Sequence, residues 1–309
     1  MKSGVSFDPD TDIPDLSGKV ILVTGGNTGL GLETILQLAK HNPAHIYLGA
    51  RSEEKGNRAI KQVQEKVPNA PPITFLHLDL GSLESTKAAA ASFRASSDRL
   101  DILVNNAGIM AVPEGLTKDG YEIQFGTNHV GHALLTKLLL PTLKATAATN
   151  SSDVRVLFLS SAGEAMAPKD SYHLDKAKTT MSHIGTWARY GQSKLANIHY
   201  SAALAKRHPD MKFISLHPGV VQTNLGDSFI NGFGSLLGTV FRFVSNLMTV
   251  SVEKGALNQI WAATSQDVES GVFYHPIGVT GKGSALSNNE EVQEQLWEWT
   301  EKELESYVL

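Results

Sequence analysis

The sequence predicts an α/β protein in which helices cover both faces of one doubly wound parallel sheet of about seven strands. Three observations lead to this prediction. Short apolar segments rich in β-branched residues alternate with longer segments that have apolar residues at helical spacing. The predicted fourth strand, residues 100–105, is nearly all apolar, as expected for a parallel strand covered on both faces. No linker rich in proline, serine and glycine divides the chain, so we expect a single domain over residues 1–309.

The elements follow from these patterns in chain order. Apolar runs predict strands at residues 19–23, 45–50, 73–79, 100–105, 154–160, 213–217 and 271–275. Helical spacing predicts helices at residues 32–40, 53–67, 83–96, 121–144, 190–207, 252–264 and 290–307. Residues 1–17 are polar and acidic and predict a loose N-terminal arm, whereas residues 163–188 show no clear periodicity and predict an insert.

The composition excludes several classes of function. Hydrophobic residues make up 41% of the 309 residues, which supports a large core, and a net charge of −4 gives no basic field for nucleic acid. The chain has no cysteine, so disulfides, thiolate catalysis and cysteine metal sites are excluded. Among its eleven histidines, His129 and His132 are the closest pair, but no carboxylate completes a ligand set around them. We therefore expect core or solvated histidines and no metal.

The apolar segments also bear on localisation. Residues 1–17 contain no signal peptide, and the longest apolar stretch, residues 229–252, is interrupted by glycines, asparagines and an arginine, which makes it a poor membrane span. The sequence thus predicts a soluble cytoplasmic protein.

A glycine-rich turn joins the first strand to the first helix. The segment Thr24–Gly31 reads TGGNTGLG and has the pattern TGxxxGxG. Gly25 allows a sharp turn off the strand, and Gly29 and Gly31 carry no Cβ, so a pyrophosphate can approach free N–H groups at the helix N-terminus. The alternative is a tight glycine turn without a ligand, but the strand and helix on either side favour a dinucleotide site.

The residues after the second strand indicate which dinucleotide binds. An NAD site usually carries Asp or Glu about 20 residues past the glycines, to bind the ribose 2′-hydroxyl. Here Arg51 and Ser52 occupy that region, and Lys55 lies one helical turn further on. Because a guanidinium can bind a 2′-phosphate through paired hydrogen bonds, we favour NADP(H). The alternative is that Arg51 is a solvated residue of the first helical turn.

Tyr190 and Lys194 lie at i,i+4 in the predicted helix 190–207, so both side chains project from one face. A free tyrosine has a pKa near ~10, and a neighbouring ammonium together with oxidised nicotinamide would lower it. Such a pair suits proton transfer to or from a carbonyl oxygen. The YxxxK motif alone is weak evidence for catalysis. The alternative is that Tyr190 packs at the helix start and Lys194 is solvated.

Four further motifs strengthen this interpretation. Ser160 and Ser161 end the fifth strand, Asn105–Gly108 (NNAG) ends the fourth, Asn128 lies in the helix 121–144, and the segment 218–223 (PGVVQT) follows the sixth strand. With TGxxxGxG and YxxxK, this ordered set resembles the short-chain dehydrogenase/reductase family from about residue 17 to 300, which implies a Rossmann-type fold.

The branch of the family is indicated by other segments. Residues 120–124 (GYEIQ), 190–197 (YGQSKLAN) and 251–263, with the long insert between serine and tyrosine, are similar to the retinol-dehydrogenase-type and WW-domain-oxidoreductase-type branch. We find neither the N-terminal anchor of the microsomal retinol dehydrogenases nor a WW domain, so a retinoid substrate does not follow from the resemblance.

The resemblance implies a role for each matching residue of the reacting centre. Ser161 hydrogen-bonds the substrate oxygen, and Ser160 is structural. Tyr190 exchanges a proton with that oxygen, while Lys194 lowers the pKa of Tyr190 and binds the nicotinamide ribose. Asn128 holds a water in a proton relay; the alternative is a helix asparagine bonded to its own backbone.

The resemblance also implies the contacts of the dinucleotide. The residues concerned are Gly25, Asn27, Gly29, Leu30, Gly31, Arg51, Asp79, Asn106, Tyr190, Lys194, Val221 and Thr223. Asp79 would meet the adenine edge, Asn106 would line the adenine–ribose side, and the segment with Val221 and Thr223 would hold the nicotinamide end.

The predicted function is therefore NADP(H)-dependent interconversion of a carbonyl and an alcohol. One alternative is a non-catalytic Rossmann scaffold that senses NADP(H). Another is a sugar-nucleotide epimerase, which shares YxxxK, but that branch has TGxxGxxG, and Thr28 stands here at its middle glycine.

The substrate and the assembly are less clearly indicated. The pocket mouth should come from Ile109–Met110, the insert and the segment 226–248, where Arg242 is isolated and aromatic and aliphatic residues dominate. This favours an apolar small-molecule substrate and a flap at 226–248; the alternative is that the segment packs as core or as a subunit contact. Family members often pair through the helices that correspond to 121–144 and 190–207, so a homodimer is one expectation.

Overall fold

A computed structural model of the chain describes residues 4–149, 153–219, 221 and 250–309. Thr223 and the segment 226–248 lie outside the described residues. Within them, seven parallel strands form one sheet in the order β3-β2-β1-β4-β5-β6-β7. The predicted doubly wound α/β fold is thereby confirmed.

The strands agree with the predicted apolar runs, although the last is shorter. They are β1 Val20–Thr24, β2 His45–Ala50, β3 Ile73–His77, β4 Ile102–Asn105, β5 Arg155–Leu159, β6 Lys212–Leu216 and β7 Phe273–Tyr274. The helices of the described residues are α1 Pro9–Asp12, α2 Gly29–Ala39, α3 Glu53–Lys66, α4 Leu83–Ser96, α5 Ile123–Phe125, α6 Gly131–Ala147, α7 Thr186–Arg207, α8 Val252–Thr264 and α9 Glu290–Glu303.

Alternate residues of β1 face two separate cores. Val20 and Leu22 point to the side packed by α4, α6, α7 and α9. Ile21 and Val23 point to the side packed by α2, α3 and α8. Every residue of this strand is buried, and its first four residues are continuously apolar rather than alternating, as expected for a strand covered on both faces.

The strand order creates a crevice at the carboxyl ends of β1 and β4. These strands are neighbours, paired through Ile21–Ile102 and Val23–Val104, yet the chain leaves them in opposite directions across the sheet. Ligands of open α/β sheets bind at this kind of switch point. The glycine turn after β1 and the NNAG segment after β4 therefore meet at one place.

The predicted helix 121–144 is interrupted. A π-helix, Gly126–Val130, separates α5 from α6. Both flanks of this π-helix are tightly packed, because a Cβ at Gly131 would lie 2.5 Å from the Leu80 carbonyl oxygen and one at Gly126 would lie 2.9 Å from the Tyr121 Cβ. The extra residue in the turn changes which side chains face the site, and Asn128 lies in its middle.

The arm at residues 4–17 is attached to the body of the protein, which differs from the predicted loose arm. Ile13 and Leu16 are buried, and the Val5 amide donates to the Ile277 carbonyl at 3.0 Å. Asp10 pairs with Lys40 at 2.7 Å. Apolar residues among the acidic ones thus fix the arm.

Helix α9 covers part of α6 and α7, the helices through which the sequence predicts a homodimer. Trp297 of α9 stacks on Tyr200 of α7 with ring centroids 5.4 Å apart, and Glu301 pairs with Lys137 of α6 at 2.8 Å. A dimer through this face would have to accommodate α9, and the homodimer stays a prediction. Among the helices that the structure describes, none is both long enough and apolar enough to cross a membrane.

Candidate active site

One cleft of about 930 Å³ opens at the carboxyl edge of the sheet. The predicted site residues that line it are Gly25, Asn27, Gly29, Leu30, Arg51, Asp79, Asn106, Tyr190 and Lys194. The cleft thus runs from the end of β2, where Arg51 lies, past the glycine turn to the phenol of Tyr190.

The glycine turn requires its glycines. Gly25 and Gly29 have φ angles of +65° and +54°, in the region that residues with a side chain rarely adopt. A Cβ at Gly31 would lie 2.6 Å from the Asn106 amide nitrogen, so α2 can approach the NNAG segment only without one. Thr28 is the N-cap residue of α2, and its side chain makes no capping hydrogen bond to the helix. The N–H groups of the first turn are therefore available to a phosphate.

Thr24, the first residue of the motif, fastens this turn to the NNAG segment. Its hydroxyl oxygen accepts hydrogen bonds from the amides of Asn106 and Ala107, each at 2.9 Å. The Asn106 side chain in turn donates to the Thr24 carbonyl at 2.8 Å. These hydrogen bonds tie the two walls of the crevice to each other.

A positively charged patch lies at the outer end of the cleft. Arg51 follows β2 directly and is exposed, and Lys55 of α3 lines the same cleft. The Ser52 hydroxyl accepts from the Lys55 amide at 3.3 Å and so acts as the N-cap of α3. Asp79 lies on the neighbouring wall, where its carboxylate accepts from the Gly81 amide at 3.1 Å and lies 3.7 Å from Lys118.

Tyr190 and Lys194 are buried together at the inner end. Helix α7 begins at Thr186, one turn earlier than predicted, so Tyr190 lies within the helix. The Lys194 ammonium lies 5.8 Å from the centroid of the Tyr190 ring and donates to the Leu159 carbonyl at 3.0 Å. The i,i+4 spacing predicted this proximity.

The directions of the two pKa shifts are informative. Burial raises the pKa of Tyr190 above its ordinary value, and hydrogen bonding to Ser161 opposes that shift. Burial also lowers the pKa of Lys194 to about 8. In the protein alone, desolvation of the phenolate therefore outweighs the hydrogen bond with Ser161, whereas the lowering expected from the sequence also required the charge of oxidised nicotinamide.

Ser161 lies next to Tyr190, at the start of a 3₁₀-helix, Ala162–Met166. Its hydroxyl accepts from the Gly163 amide at 3.0 Å. A Cβ at Gly163 would lie 2.9 Å from the Tyr190 ring and 3.3 Å from the Ser161 hydroxyl oxygen, so glycine allows the two groups to adjoin. Ser160, by contrast, donates to the Lys194 carbonyl at 2.7 Å, in keeping with a structural role.

Asn128 is fixed by its own side chain. Its Oδ1 accepts from the Ile109 amide at 2.8 Å, and its Nδ2 donates to the Ile109 carbonyl and to the Ser193 hydroxyl, both at 2.9 Å. A Cβ at Gly108 would lie 3.1 Å from Asn128 Oδ1 and 3.3 Å from Lys194 Nζ, so both side chains pack against Gly108. Both N–H groups of the Asn128 side chain are thus used, which leaves the second lone pair of Oδ1 and the backbone carbonyl of Asn128 as acceptors for a relay.

His132 is a residue of the site that the sequence did not assign to it. The sequence singles it out only as half of a histidine pair with His129, yet its ring contacts the Asn128 carbonyl and the Thr24 hydroxyl. The one available signal was its i,i+4 spacing from Asn128. His129 faces the other way, toward Thr300 of α9 at 3.0 Å.

The nicotinamide end of the predicted site is described only in part. Val221 forms a bridge with Val250, and Pro218 lines the cleft. Thr223 lies outside the described residues, so the contacts proposed for it and for Val221 stay predictions.

Fold and site together define a dinucleotide-binding oxidoreductase of the Rossmann type. A family model described as short chain dehydrogenase matches residues 19–171. The chain is 41% identical over 298 residues to an uncharacterized oxidoreductase of Schizosaccharomyces pombe, covering 94% of this chain and 86% of that one. It is 37% identical over 291 residues to retinol dehydrogenase 13 of Homo sapiens, covering 91% and 83%.

A solved structure of an uncharacterized protein from Mycobacterium paratuberculosis is also similar, with 28% identity, a TM-score of 0.73 and 97% of each chain covered. The chain belongs to the short-chain dehydrogenase/reductase family, whose members bind nicotinamide cofactors. The resemblance inferred from the motifs is confirmed.

Proposed function

We propose that this protein is an NADP(H)-dependent oxidoreductase that interconverts a carbonyl and an alcohol on an apolar small molecule. One observation supports it above all: Tyr190 and Lys194 line the inner end of a cleft whose outer end carries Arg51 and Lys55, and Ser161 hydrogen-bonds Tyr190.

NADP(H) fits the residues of this cleft. The glycine turn offers uncapped N–H groups of α2 for a pyrophosphate. The two cations at the end of β2 suit the 2′-phosphate, because a guanidinium binds phosphate through paired hydrogen bonds and an ammonium adds a second charge. Asp79 lines the same cleft after the end of β3, where the family resemblance assigns it to the adenine edge.

The reacting groups act in a defined order in the reducing direction. When bound, NADPH supplies the hydride for the carbonyl carbon. The Ser161 hydroxyl donates a hydrogen bond to the substrate oxygen, and the Tyr190 hydroxyl transfers its proton to that oxygen as negative charge develops there. The Lys194 ammonium stabilises the tyrosinate that remains, and water held at the Asn128 carbonyl returns a proton to it.

The pKa directions favour reduction at neutral pH. A tyrosine whose pKa is raised by burial retains the proton that reduction consumes. Lys194, with a pKa of about 8, is still mainly charged at pH 7. Oxidation uses the same groups in reverse and should become faster as the pH rises.

The entrance of the cleft supports an apolar substrate. Ile109, Val112, Pro113 and Leu116 line it, and Leu116 remains 47% exposed. An apolar lining of this kind suits a ligand with apolar surface.

The test is an assay of NADPH and NADH oxidation, followed at about 340 nm, over a panel of apolar ketones and aldehydes. Wild type should turn over at least one bulky apolar carbonyl with NADPH. Tyr190→Phe should lower kcat by orders of magnitude and leave the Kd for NADPH nearly unchanged, because the ring stays and only the proton donor is lost. Substantial turnover by Tyr190→Phe would contradict the mechanism, and equal binding of NADH and NADPH would contradict the cofactor assignment.

A further inference from the structure

His132 is fully buried on α6, one turn after Asn128. Its Nδ1 lies 3.0 Å from the Asn128 carbonyl oxygen, and its Nε2 lies 2.9 Å from the Thr24 hydroxyl. One imidazole thus connects the π-helix that carries Asn128 with the first residue of the dinucleotide-binding turn.

The partners determine the tautomer. A carbonyl oxygen only accepts hydrogen bonds, so Nδ1 carries the proton and donates to Asn128. Nε2 then holds a lone pair and accepts from the Thr24 hydroxyl.

Within the described residues, the hydroxyl hydrogen of Thr24 can reach His132 Nε2 at 2.9 Å or the Val104 carbonyl at 3.4 Å, and the shorter contact is to His132. The hydroxyl oxygen of Thr24 already accepts from the amides of Asn106 and Ala107. If His132 were protonated, two donors would face each other at Nε2. Burial lowers the pKa of His132 to about 4, which keeps the neutral form at physiological pH.

We propose that His132 is a positioning residue that couples the dinucleotide-binding turn to the proton relay at Asn128. Its Nδ1–H orients the Asn128 carbonyl, and its Nε2 orients the Thr24 hydroxyl. This inference rests on the proposed function, because it assigns the Asn128 carbonyl to reprotonation of Tyr190.

The two ends of the imidazole can be tested separately. Glutamine places its amide where Nε2 lies, so His132→Gln keeps an acceptor for Thr24 and loses the donor to Asn128. Asparagine places its amide where Nδ1 lies, so His132→Asn keeps the donor and loses the acceptor. The matched controls are His129→Gln and His129→Asn, since His129 is equally buried but bonds Thr300.

The expected result is a split between the two variants. His132→Gln should lower kcat about tenfold and increase the effect of D₂O on kcat, with the Kd for NADPH unchanged within about twofold. His132→Asn should weaken NADPH binding about tenfold and keep kcat at saturating cofactor within about twofold. A merely structural histidine would lower the melting temperature without this split. Equal effects of both variants on kcat and Kd, or effects shared by the His129 controls, would overturn the proposal.

A measurement on wild type covers the case in which the variants fold poorly. Long-range ¹H–¹⁵N spectra of the histidine rings should show His132 as the Nδ1–H tautomer. Its ring signals should move when NADP⁺ is added, whereas those of His129 should not. An Nε2–H tautomer or an unresponsive His132 would overturn the proposal. If no carbonyl in the panel is reduced, the proposed function fails. The spectra still decide whether the environment of the His132 ring changes when NADP⁺ binds at the glycine turn.

Discussion

Replacing Lys194 by methionine should abolish activity and stabilise the protein at neutral pH. The ammonium is buried, and its pKa falls from 10.5 to about 8. Since a tenfold change in proton affinity corresponds to ~1.4 kcal/mol, holding the charged form in the folded state costs about 3 kcal/mol. Methionine fills a similar volume without charge.

Part of that gain is offset. Lys194 donates to the Leu159 carbonyl, and a hydrogen bond of this kind contributes about 1 kcal/mol. The same carbonyl also accepts from the Asn197 side chain at 3.0 Å, so it is not left without a partner in the variant. The net stabilisation by Lys194→Met at pH 7 should be about 2 kcal/mol, or a rise in Tm of roughly 4 °C.

The pH dependence identifies the cause. The unfolded chain holds this proton up to about pH 10.5 and the folded chain only up to about pH 8, so between these values the unfolded state binds more protons. Wild-type stability should therefore rise with pH over this window, and the advantage of Lys194→Met should disappear.

Urea denaturation at pH 7 and pH 9.5 measures both quantities. The matched control is Lys206→Met, because Lys206 lies at the exposed end of the same helix in an ion pair with Glu290, where such pairs contribute little. A Lys194→Met protein less stable than wild type at pH 7, or a difference that does not change with pH, would refute the reasoning.

Three further predictions concern the cofactor and the pH profile. Arg51→Asp should shift the cofactor preference toward NADH, because a carboxylate repels a 2′-phosphate and accepts a hydrogen bond from a 2′-hydroxyl. The ratio of kcat/KM for the two cofactors measures this shift, and an unchanged ratio would contradict the prediction. Gly31→Ala should weaken NADPH binding by about tenfold or more, since the new Cβ meets the Gly25 carbonyl oxygen and also the Asn106 side-chain Nδ2 at 2.6 Å; fluorescence titration measures this, and unchanged affinity would show that the turn can widen. Reductase kcat should fall as the pH rises past about 8, where Lys194 loses its charge, and a flat profile to pH 9.5 would argue against a role for the ammonium.

The fold could be predicted because it depends on patterns that recur along the chain. Continuous apolar runs mark buried parallel strands, and β1 is buried along its whole length. The irregular parts depend on contacts between distant segments. The insert 163–188 has no periodicity because it is held by bonds such as that between the His173 amide and the Gln192 side chain, 2.9 Å, and that between Glu164 and the Ser284 amide, 2.7 Å. The two residues of each hydrogen bond are far apart in the chain, so the sequence pattern around one does not predict the other.

The active site likewise contains residues that local spacing predicts and residues that only contacts between distant segments bring into place. Local spacing placed Tyr190 beside Lys194, but spacing carries no information about desolvation, which decides the direction of the tyrosine pKa shift. The role of His132 was missed because its partner Thr24 is 108 positions away in the chain. Motifs locate the groups that react, whereas the groups that hold them in place are found only where the elements pack.

The burial of Lys194 explains why the hydrogen bonds around it are needed. A charged side chain that costs about 3 kcal/mol to bury would be expected to move toward solvent unless its surroundings restrain it. Here the hydrogen bond to the Leu159 carbonyl at 3.0 Å opposes that movement. Asn128 packs against the same Gly108 as Lys194 and is itself fixed to Ile109, Ser193 and His132. The π-helix, the imidazole and the glycine at position 108 therefore belong to one arrangement, which keeps an unfavourable charge next to the phenol that must lose and regain a proton.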